Sequence, residues 1–219
     1  MSGPHAMDNL DFAALLCSRV CHDLISPVGA IVNGLEVLED DNDEATKTFA
    51  LELIKKSART ASARLQFCRL AFGAAGSAGA QIDLGDAEAV ARGFFEDDKT
   101  KLTWNLPRIL LAKNRVKLLL NLLVLSAQTI PRGGTLMVTP LGEGDTMGFK
   151  ITASGLNARI PQAVPALVTG DAALHVDAHA IQPFFAGLLA RSCGLTVTLA
   201  PEGDAIVVAA KAVANTAAA

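Results

Sequence analysis

The chain has 219 residues, of which 51% are hydrophobic, so it is long enough for one large or two small domains with apolar cores. Its formal net charge of −3 excludes the strongly basic surface that nucleic-acid binding requires, and no polybasic run indicates a membrane surface. The longest apolar runs, such as Leu118 to Leu125, are too short to span a bilayer, and Met1 to Asn9 lack the apolar stretch of a signal peptide.

The cysteines bear on the cellular compartment. Cys17, Cys21, Cys68 and Cys193 form no Cys-x-x-Cys pair and lie within apolar patterns. This arrangement favours reduced thiols in the protein core over a metal site or disulfides. It is consistent with a cytoplasmic protein.

The first predicted helix runs from about Phe12 to Leu38 and is amphipathic. At about 100° per residue, an apolar face lies opposite His22. That face consists of Leu16, Val20, Leu24, Pro27, Ile31, Leu35 and Leu38, whereas Leu15, Ser18, Ser26, Gly29 and Asn33 lie on the histidine's own side. We therefore expect the apolar face to pack against other helices while His22 points to solvent.

A second predicted helix, at about Glu44 to Phe72, follows a polar turn. Its apolar stripe alternates spacings of four and three residues, the pattern of left-handed helix packing. The stripe consists of Ile54, Ala58, Ala61, Leu65, Cys68 and Phe72. Because two such helices cannot bury all their apolar residues against each other, we predict a homodimer in which residues 12–72 of two chains form a four-helix bundle. The alternative is that residues 82–213 cover the hairpin within one chain.

A run of small residues, Gly73 to Ala80, predicts a flexible connection. It divides the chain into a helical hairpin (10–72), a linker (73–81) and a second domain (82–213). In the second domain we predict strands at 102–104, 135–139, 148–152, 195–199 and 206–210, and helices at 86–95, 114–129 and 179–193. The predicted fold class is therefore α+β, a helical hairpin followed by an α/β sandwich.

The residues around His22 suit phosphoryl transfer to its imidazole. The adjacent carboxylate of Asp23 can hold the hydrogen of one ring nitrogen, and Ser26 can bind a phosphoryl oxygen. Pro27 has no backbone N–H and clashes with the preceding turn, so we expect a bend that frees the carbonyl of Asp23. A lone exposed histidine is usually only a solvated residue, but Ser26 and Pro27 at these offsets favour the functional interpretation.

The segment His22 to Val28 resembles the H-box of two-component sensor histidine kinases, and the hairpin resembles their dimerisation and histidine-phosphotransfer domain. The resemblance implies that His22 is phosphorylated, with Asp23 and Ser26 as its catalytic neighbours. Residues on the same side of the helix are then expected to dock partner proteins. We assign this role to Leu15, Arg19, Gly29, Ala30 and Asn33.

The second half resembles the ATP-binding domain of the same kinases, the Bergerat fold, but departs from it at three contacts to ATP. Asn121 matches one of two asparagines that hold metal and phosphate in the family, whereas the second position is Leu125. Ala153 stands where the family has the aspartate that reads adenine. The bulky segment 180–189 replaces the glycine-rich lid. We therefore expect that the chain binds no nucleotide, metal or other cofactor and has no autokinase activity.

A dimeric hairpin with a degenerate ATPase-like domain resembles the ChpT-type histidine phosphotransferases over about residues 12–212. This resemblance implies a cytoplasmic homodimer that carries phosphoryl groups on His22 from the receiver domain of a hybrid kinase to the receiver domains of response regulators, with Mg²⁺ supplied by the receiver. A divergent kinase, a receiver phosphatase and a non-catalytic scaffold are the alternatives.

Basic residues on the outer side of the second helix have two interpretations. They are either a soluble helix face or an attraction for an acidic receiver domain, where charge raises the association rate more than affinity. They are Lys55, Lys56, Arg59, Arg64 and Arg69.

Overall fold

A computed structural model describes residues 7–40, 43–73, 79–144, 147–170, 176–178 and 180–212. The helices are α1 (Asn9–Asp40), α2 (Glu44–Ala71), α3 (Leu84–Phe95), α4 (Lys113–Thr129), α5 (Val164–Thr169) and α6 (Ile181–Ser192). The strands are β1 (Gln81–Asp83), β2 (Thr100–Trp104), β3 (Leu110–Ala112), β4 (Gly134–Leu141), β5 (Gly148–Ser154), β6 (Leu195–Glu202) and β7 (Ala205–Ala212).

Every helix and strand predicted from the sequence is present, with bounds that differ by at most three residues. The α+β fold class is therefore confirmed. Strands β1 and β3 and helix α5 were not predicted, because each is too short for its apolar periodicity to stand out.

The helical hairpin forms for local reasons. Asp43 caps α2, since its Oδ2 accepts hydrogen bonds from the backbone N and the Oγ1 of Thr46, both at 2.9 Å. Gly34 lets the two helices approach closely: a Cβ at this position would lie 2.7 Å from Cγ1 of Ile54. The hairpin is therefore tightly packed between His22 and its tip.

The larger sheet has the strand order β2-β4-β5-β7-β6. The β2–β4 pair is parallel and the other three pairs are antiparallel. The two short strands β1 and β3 pair separately in antiparallel register. Helix α4 lies at the centre of the molecule, with contacts to the hairpin, to α3 and α6, and to the sheet. Most of its residues are buried, which explains a sequence that is apolar on nearly every side.

Aromatic rings join the hairpin to the second half. Phe67 of α2 stacks on Phe94 and meets Phe95 edge-on, with ring centroids 4.0 and 5.5 Å apart. Phe185 of α6 lies 5.7 Å from Phe12 and 6.0 Å from Phe72. The second half thus covers the open end of the hairpin, and one hydrophobic core spans both parts.

Both hairpin helices leave apolar residues exposed in the described part of the chain. On α1 one set of these residues recurs with spacings of four and three, and on α2 one set recurs with a spacing of seven. We call this set the exposed stripe: Cys21, Ile25, Val28, Val32 and Leu35 on α1, and Leu51, Ala58 and Leu65 on α2. Leu35, Ala58 and Leu65 of the predicted apolar stripes are thus left exposed within one chain, because each helix touches its hairpin neighbour along only part of its circumference.

Among the described residues, one helix, Asn9–Glu39, is long and apolar enough by length and composition to cross a membrane, although its single apolar runs are too short to predict this. Arg19, His22 and Asp23 lie near its middle, where ionisable groups are costly in lipid. Most of the predicted linker (74–78), the C-terminal residues 213–219, and His179, where the last predicted helix begins, lie outside the described residues.

Candidate active site

His22 lies near the middle of α1 and projects into solvent. Its side chain is 67% exposed, and the structure places it on the side of α1 that does not pack on α2. Its Nδ1 lies 3.6 Å from Oδ1 of Asp23. This separation is longer than a hydrogen bond, so a small adjustment of the ring or the carboxylate is needed to join the two groups. The exposed position predicted for His22 is thus observed.

Asp23 lies between His22 and a second basic residue. Its other carboxylate oxygen, Oδ2, accepts a hydrogen bond from Nε of Arg19 at 3.2 Å. The Asp23 and Arg19 side chains are only 14% and 16% exposed, so they are shielded from water far more than His22 is. The carboxylate can therefore hold the Nδ1 hydrogen while Arg19 fixes its orientation.

The backbone carbonyl of Asp23 is also engaged. Pro27 is buried and follows Asp23 by four residues, so it supplies no N–H to that carbonyl. Nη1 of Arg64, on the facing helix α2, donates a hydrogen bond to it at 2.6 Å. Helix α1 continues through Pro27 without interruption.

The structure corrects one prediction about the basic residues of α2. Lys55, Lys56, Arg59 and Arg69 are exposed, as expected for an outer face. Arg64 is half-buried and faces α1, because its guanidinium reaches the carbonyl that Pro27 leaves without its usual donor. Its assignment to the outer face is therefore wrong.

The other residues selected from the sequence lie along the His22 side of α1. Ser26 and Asn33 are exposed, and a Cβ placed on Gly29 would meet nothing within 4 Å. Leu15 and Ala30 are half-buried at the edge of this surface. Open space around Gly29 suits the close approach of another protein, and the docking roles of these residues stay predictions.

Cys68 is a neighbour of Asp23 that the sequence analysis placed only in an apolar stripe. The pKa of its thiol is raised to about 11, chiefly by burial and also by the negative charge of Asp23, while Arg19 and Arg64 act in the opposite direction. Arg19, Asp23, Arg64 and Cys68 therefore form one cluster, named here the Asp23 cluster. Because Pro27 has no N–H, the sequence indicated that the carbonyl of Asp23 needs another donor. Only the alignment of α1 with α2 shows that this donor is Arg64.

Asn121, the residue that matches a kinase metal ligand, is fully buried and hydrogen-bonded within the protein. Its Nδ2 donates to the backbone oxygens of Ala71, at 3.1 Å, and Lys117, at 2.8 Å. Nε2 of Gln182 donates to the backbone oxygen of Asn121 at 2.9 Å and lies 3.5 Å from its Oδ1. The side chain thus connects α2, α4 and α6.

The other positions that depart from the kinase pattern belong to the core. Leu125 and Ala153 are buried, α6 packs on α4, and Ile181 and Ala186, in the segment that stands in place of the lid, are buried as well. Among the described residues, no group of three or more His, Cys, Asp or Glu side chains could hold a metal ion.

Comparison with known proteins assigns the family. The family model for the histidine phosphotransferase C-terminal domain matches residues 84–205. A protein phosphotransferase ChpT from Brucella abortus (strain 2308) is 49% identical over 212 residues, which cover 96% of this chain and 100% of that protein. The chain belongs to the histidine phosphotransferase family.

A solved structure supports the same assignment for this histidine phosphotransferase. A bacterial phosphotransferase structure at 1.7 Å is 47% identical, covers 96% of this chain and 100% of its own, and superimposes with a TM-score of 0.86. Full-length ShkA in complex with AMPPNP is 17% identical with a TM-score of 0.47. Because the family model begins at residue 84, the relatives that match over nearly the whole chain extend the assignment to the hairpin that carries His22.

Proposed function

We propose that this histidine phosphotransferase carries a phosphoryl group on His22 from the receiver domain of a hybrid histidine kinase to the receiver domains of response regulators. The observation that carries the proposal is an exposed imidazole whose Nδ1 faces a shielded carboxylate, Asp23, held in place by Arg19. Mg²⁺ is supplied by the receiver domain. The reaction takes place in the cytoplasm.

We propose a different role for each ring nitrogen of His22. With Nδ1 facing Asp23, Nε2 lies on the far side of the ring and attacks the phosphorus of the receiver's aspartyl phosphate. A bond forms between Nε2 and phosphorus while the bond from phosphorus to the carboxyl oxygen breaks, and the receiver aspartate leaves with that electron pair. The hydrogen on Nδ1 stays on the ring, where Asp23 balances the positive charge. The reverse sequence delivers the group to a second receiver.

The proposal includes a homodimer held by the hairpin. The exposed stripe has heptad-like spacing on both helices, and it lies about 100° around α1 from His22. A second copy presents the same two-helix surface, so the two stripes can cover each other in a symmetric four-helix bundle. His22 then stays outside the interface and accessible to receiver domains.

We also propose that this chain does not bind a nucleotide. A nucleotide-binding chain needs a ligand for the metal, a reader for adenine and room for the phosphates. Leu125 and Ala153 supply no polar side-chain atom, and the amide of Asn121 is already bonded to Ala71 and Lys117. Packing of α6 on α4 leaves the lid segment as part of the core. We therefore expect phosphorylation only by a partner.

A transfer assay tests the function. Wild-type protein is mixed with a receiver domain whose aspartate carries labelled phosphate, and label on the phosphotransferase is followed with time. We expect wild type to be labelled and His22→Gln to remain unlabelled, while His175→Gln, the same substitution at another histidine, behaves as wild type. Label that persists on His22→Gln would contradict the proposal.

A second arm of the same experiment replaces the receiver with labelled ATP and Mg²⁺. We expect no label on the wild-type protein. Label from ATP alone would instead indicate a divergent histidine kinase. Receiver binding without any phosphoryl transfer in the first arm would indicate a non-catalytic scaffold.

A further inference from the structure

We propose that Arg64 is a positioning residue for phosphoryl transfer through His22, because its guanidinium replaces the backbone donor that Pro27 removes from the helix beside the histidine. This inference rests on the proposed function. In the described part of the chain, the hydrogen bond of Arg64 is to the backbone of Asp23 and not to His22. It acts through the backbone of Asp23, the residue next to His22.

The local backbone needs such a donor. In an uninterrupted helix the N–H of residue 27 would bond to the carbonyl of residue 23. Pro27 has no N–H, and its ring also crowds the preceding turn. Asp23 lies at a half-buried position between the two helices, where a carbonyl without a partner is costly. The 2.6 Å bond from Arg64 satisfies it with a charged donor.

Helix α2 is well placed to hold this donor steady. Phe67, less than one turn beyond Arg64, is buried against Phe94 and Phe95. Ala63, the residue before Arg64, lies beside Gly93 of α3. A Cβ added to Gly93 would lie 3.6 Å from the Cβ of Ala63. The packed α3 therefore fixes the part of α2 from which Arg64 reaches α1. Arg69, on the same helix, is exposed.

The bond matters for chemistry because transfer depends on small distances. The carboxylate of Asp23 is held by Arg19 and its backbone by Arg64, so the group that faces Nδ1 of His22 is fixed at two points. Misplacing reacting groups by about 1 Å can lower a rate a hundredfold. Without Arg64, the turn that contains His22 and Asp23 loses one of these two fixed points while the surface that meets the receiver is unchanged.

The first test compares Arg64→Gln with Arg69→Gln, which removes the same charge from an exposed position on the same helix. The maximum rate of labelling by a phosphorylated receiver is expected to fall about tenfold to a hundredfold in Arg64→Gln. The receiver concentration that gives half of this rate should change less than about threefold. Arg69→Gln should keep the wild-type maximum rate.

A double-mutant cycle gives the decisive readout. In Pro27→Ala the backbone N–H of residue 27 can bond to the carbonyl of Asp23, so Arg64 becomes dispensable. Adding Arg64→Gln to Pro27→Ala is therefore expected to lower the maximum rate less than about threefold, in contrast to its effect on the wild-type chain. Arg69→Gln should leave the maximum rate unchanged in either background.

The outcomes separate the two proposals. Equal losses from Arg64→Gln in both backgrounds, or no loss in the wild-type background, would overturn the inference for Arg64 alone. A wild-type protein that receivers never label would overturn the proposed function and this inference with it. If thermal unfolding shows that Arg64→Gln by itself is too unstable for the transfer assay, the double variant still decides, because the inference requires it to fold and to transfer within about threefold of the rate of Pro27→Ala.

Discussion

At the scale of single residues, the Asp23 cluster places opposite charges and a neutral thiol in one half-buried space. The Cys68 thiol shows the electrostatic character of this space, since its pKa rises from 9.0 to about 11. Burial is the largest cause, and the charge of Asp23 adds to it. The folded protein therefore favours the neutral thiol over the thiolate.

A pH-dependent stability follows from Cys68. A group whose pKa is raised on folding contributes stability that is fully present below its unfolded value and is lost as the pH rises towards the folded value. For Cys68 this window runs from pH 9 to about pH 11. We expect the free energy of unfolding, measured with urea, to fall by about 1 kcal/mol more between pH 8 and pH 10 in wild type than in Cys68→Ala.

The comparison with Cys68→Ala removes other groups that titrate in the same range. Burial lowers the pKa of the Lys117 amine and raises that of the Cys193 thiol, and both effects are common to the two proteins. Identical pH profiles for wild type and Cys68→Ala would show that the thiol is not desolvated as the structure indicates.

At the scale of the helix, α1 has three surfaces with different tasks. One packs on α2, one carries His22, and the third is the exposed stripe. The three surfaces do not overlap because His22 and the stripe lie about 100° apart. Changes on the stripe should therefore alter assembly before they alter the histidine.

The prediction for the exposed stripe concerns Val28 and Val32, which are 48% and 47% exposed. Replacing both with Asp places four carboxylates in the symmetric interface, so we expect the dimer to dissociate about a thousandfold more readily. Light scattering after size exclusion measures the change in mass. Val37→Asp, an exposed valine outside the stripe, should remain dimeric, and a wild-type protein that is monomeric at micromolar concentration would contradict the dimer.

Some features of the hairpin follow from the sequence alone, and others do not. The exposure of His22 and the loss of a donor at Pro27 are local properties of one helix, and both follow from residue spacing. Contact between Arg64 and Asp23 depends on how α1 and α2 are aligned, and two helices of this composition allow several alignments one turn apart. Leu65 is exposed within one chain, in line with the expectation that two helices cannot bury all of their apolar residues against each other.

At the scale of the whole molecule, Asn121 has a structural role in the core. The side chain is fully buried, and its bonds reach the end of α2 and the start of α6. The sequence identified the departures at Leu125 and Ala153, since these need only a resemblance to a motif. It did not show what Asn121 does instead, because its partner Ala71 is 50 residues away along the chain.

The prediction for Asn121 is a loss of stability. Asn121→Ala leaves the carbonyl of Ala71 without this donor in the core, so we expect the free energy of unfolding to fall by about 2–3 kcal/mol. Denaturation with urea measures it, with the exposed Asn33→Ala as the matched control that should leave stability unchanged. An Asn121→Ala protein as stable as wild type would mean that its buried bonds contribute nothing to the fold.

The contacts of Phe185 with Phe12 and Phe72 have a consequence for how the molecule moves. An enzyme that phosphorylates its own histidine must bring bound ATP to that residue, so its two halves have to travel relative to each other. A phosphoryl carrier that receives its phosphoryl group from a partner needs no such movement. Because Phe185 packs on Phe12 and Phe72 at the open end of the hairpin, the two halves of this protein can keep one arrangement throughout phosphoryl transfer, and only the partner domains need to bind and dissociate.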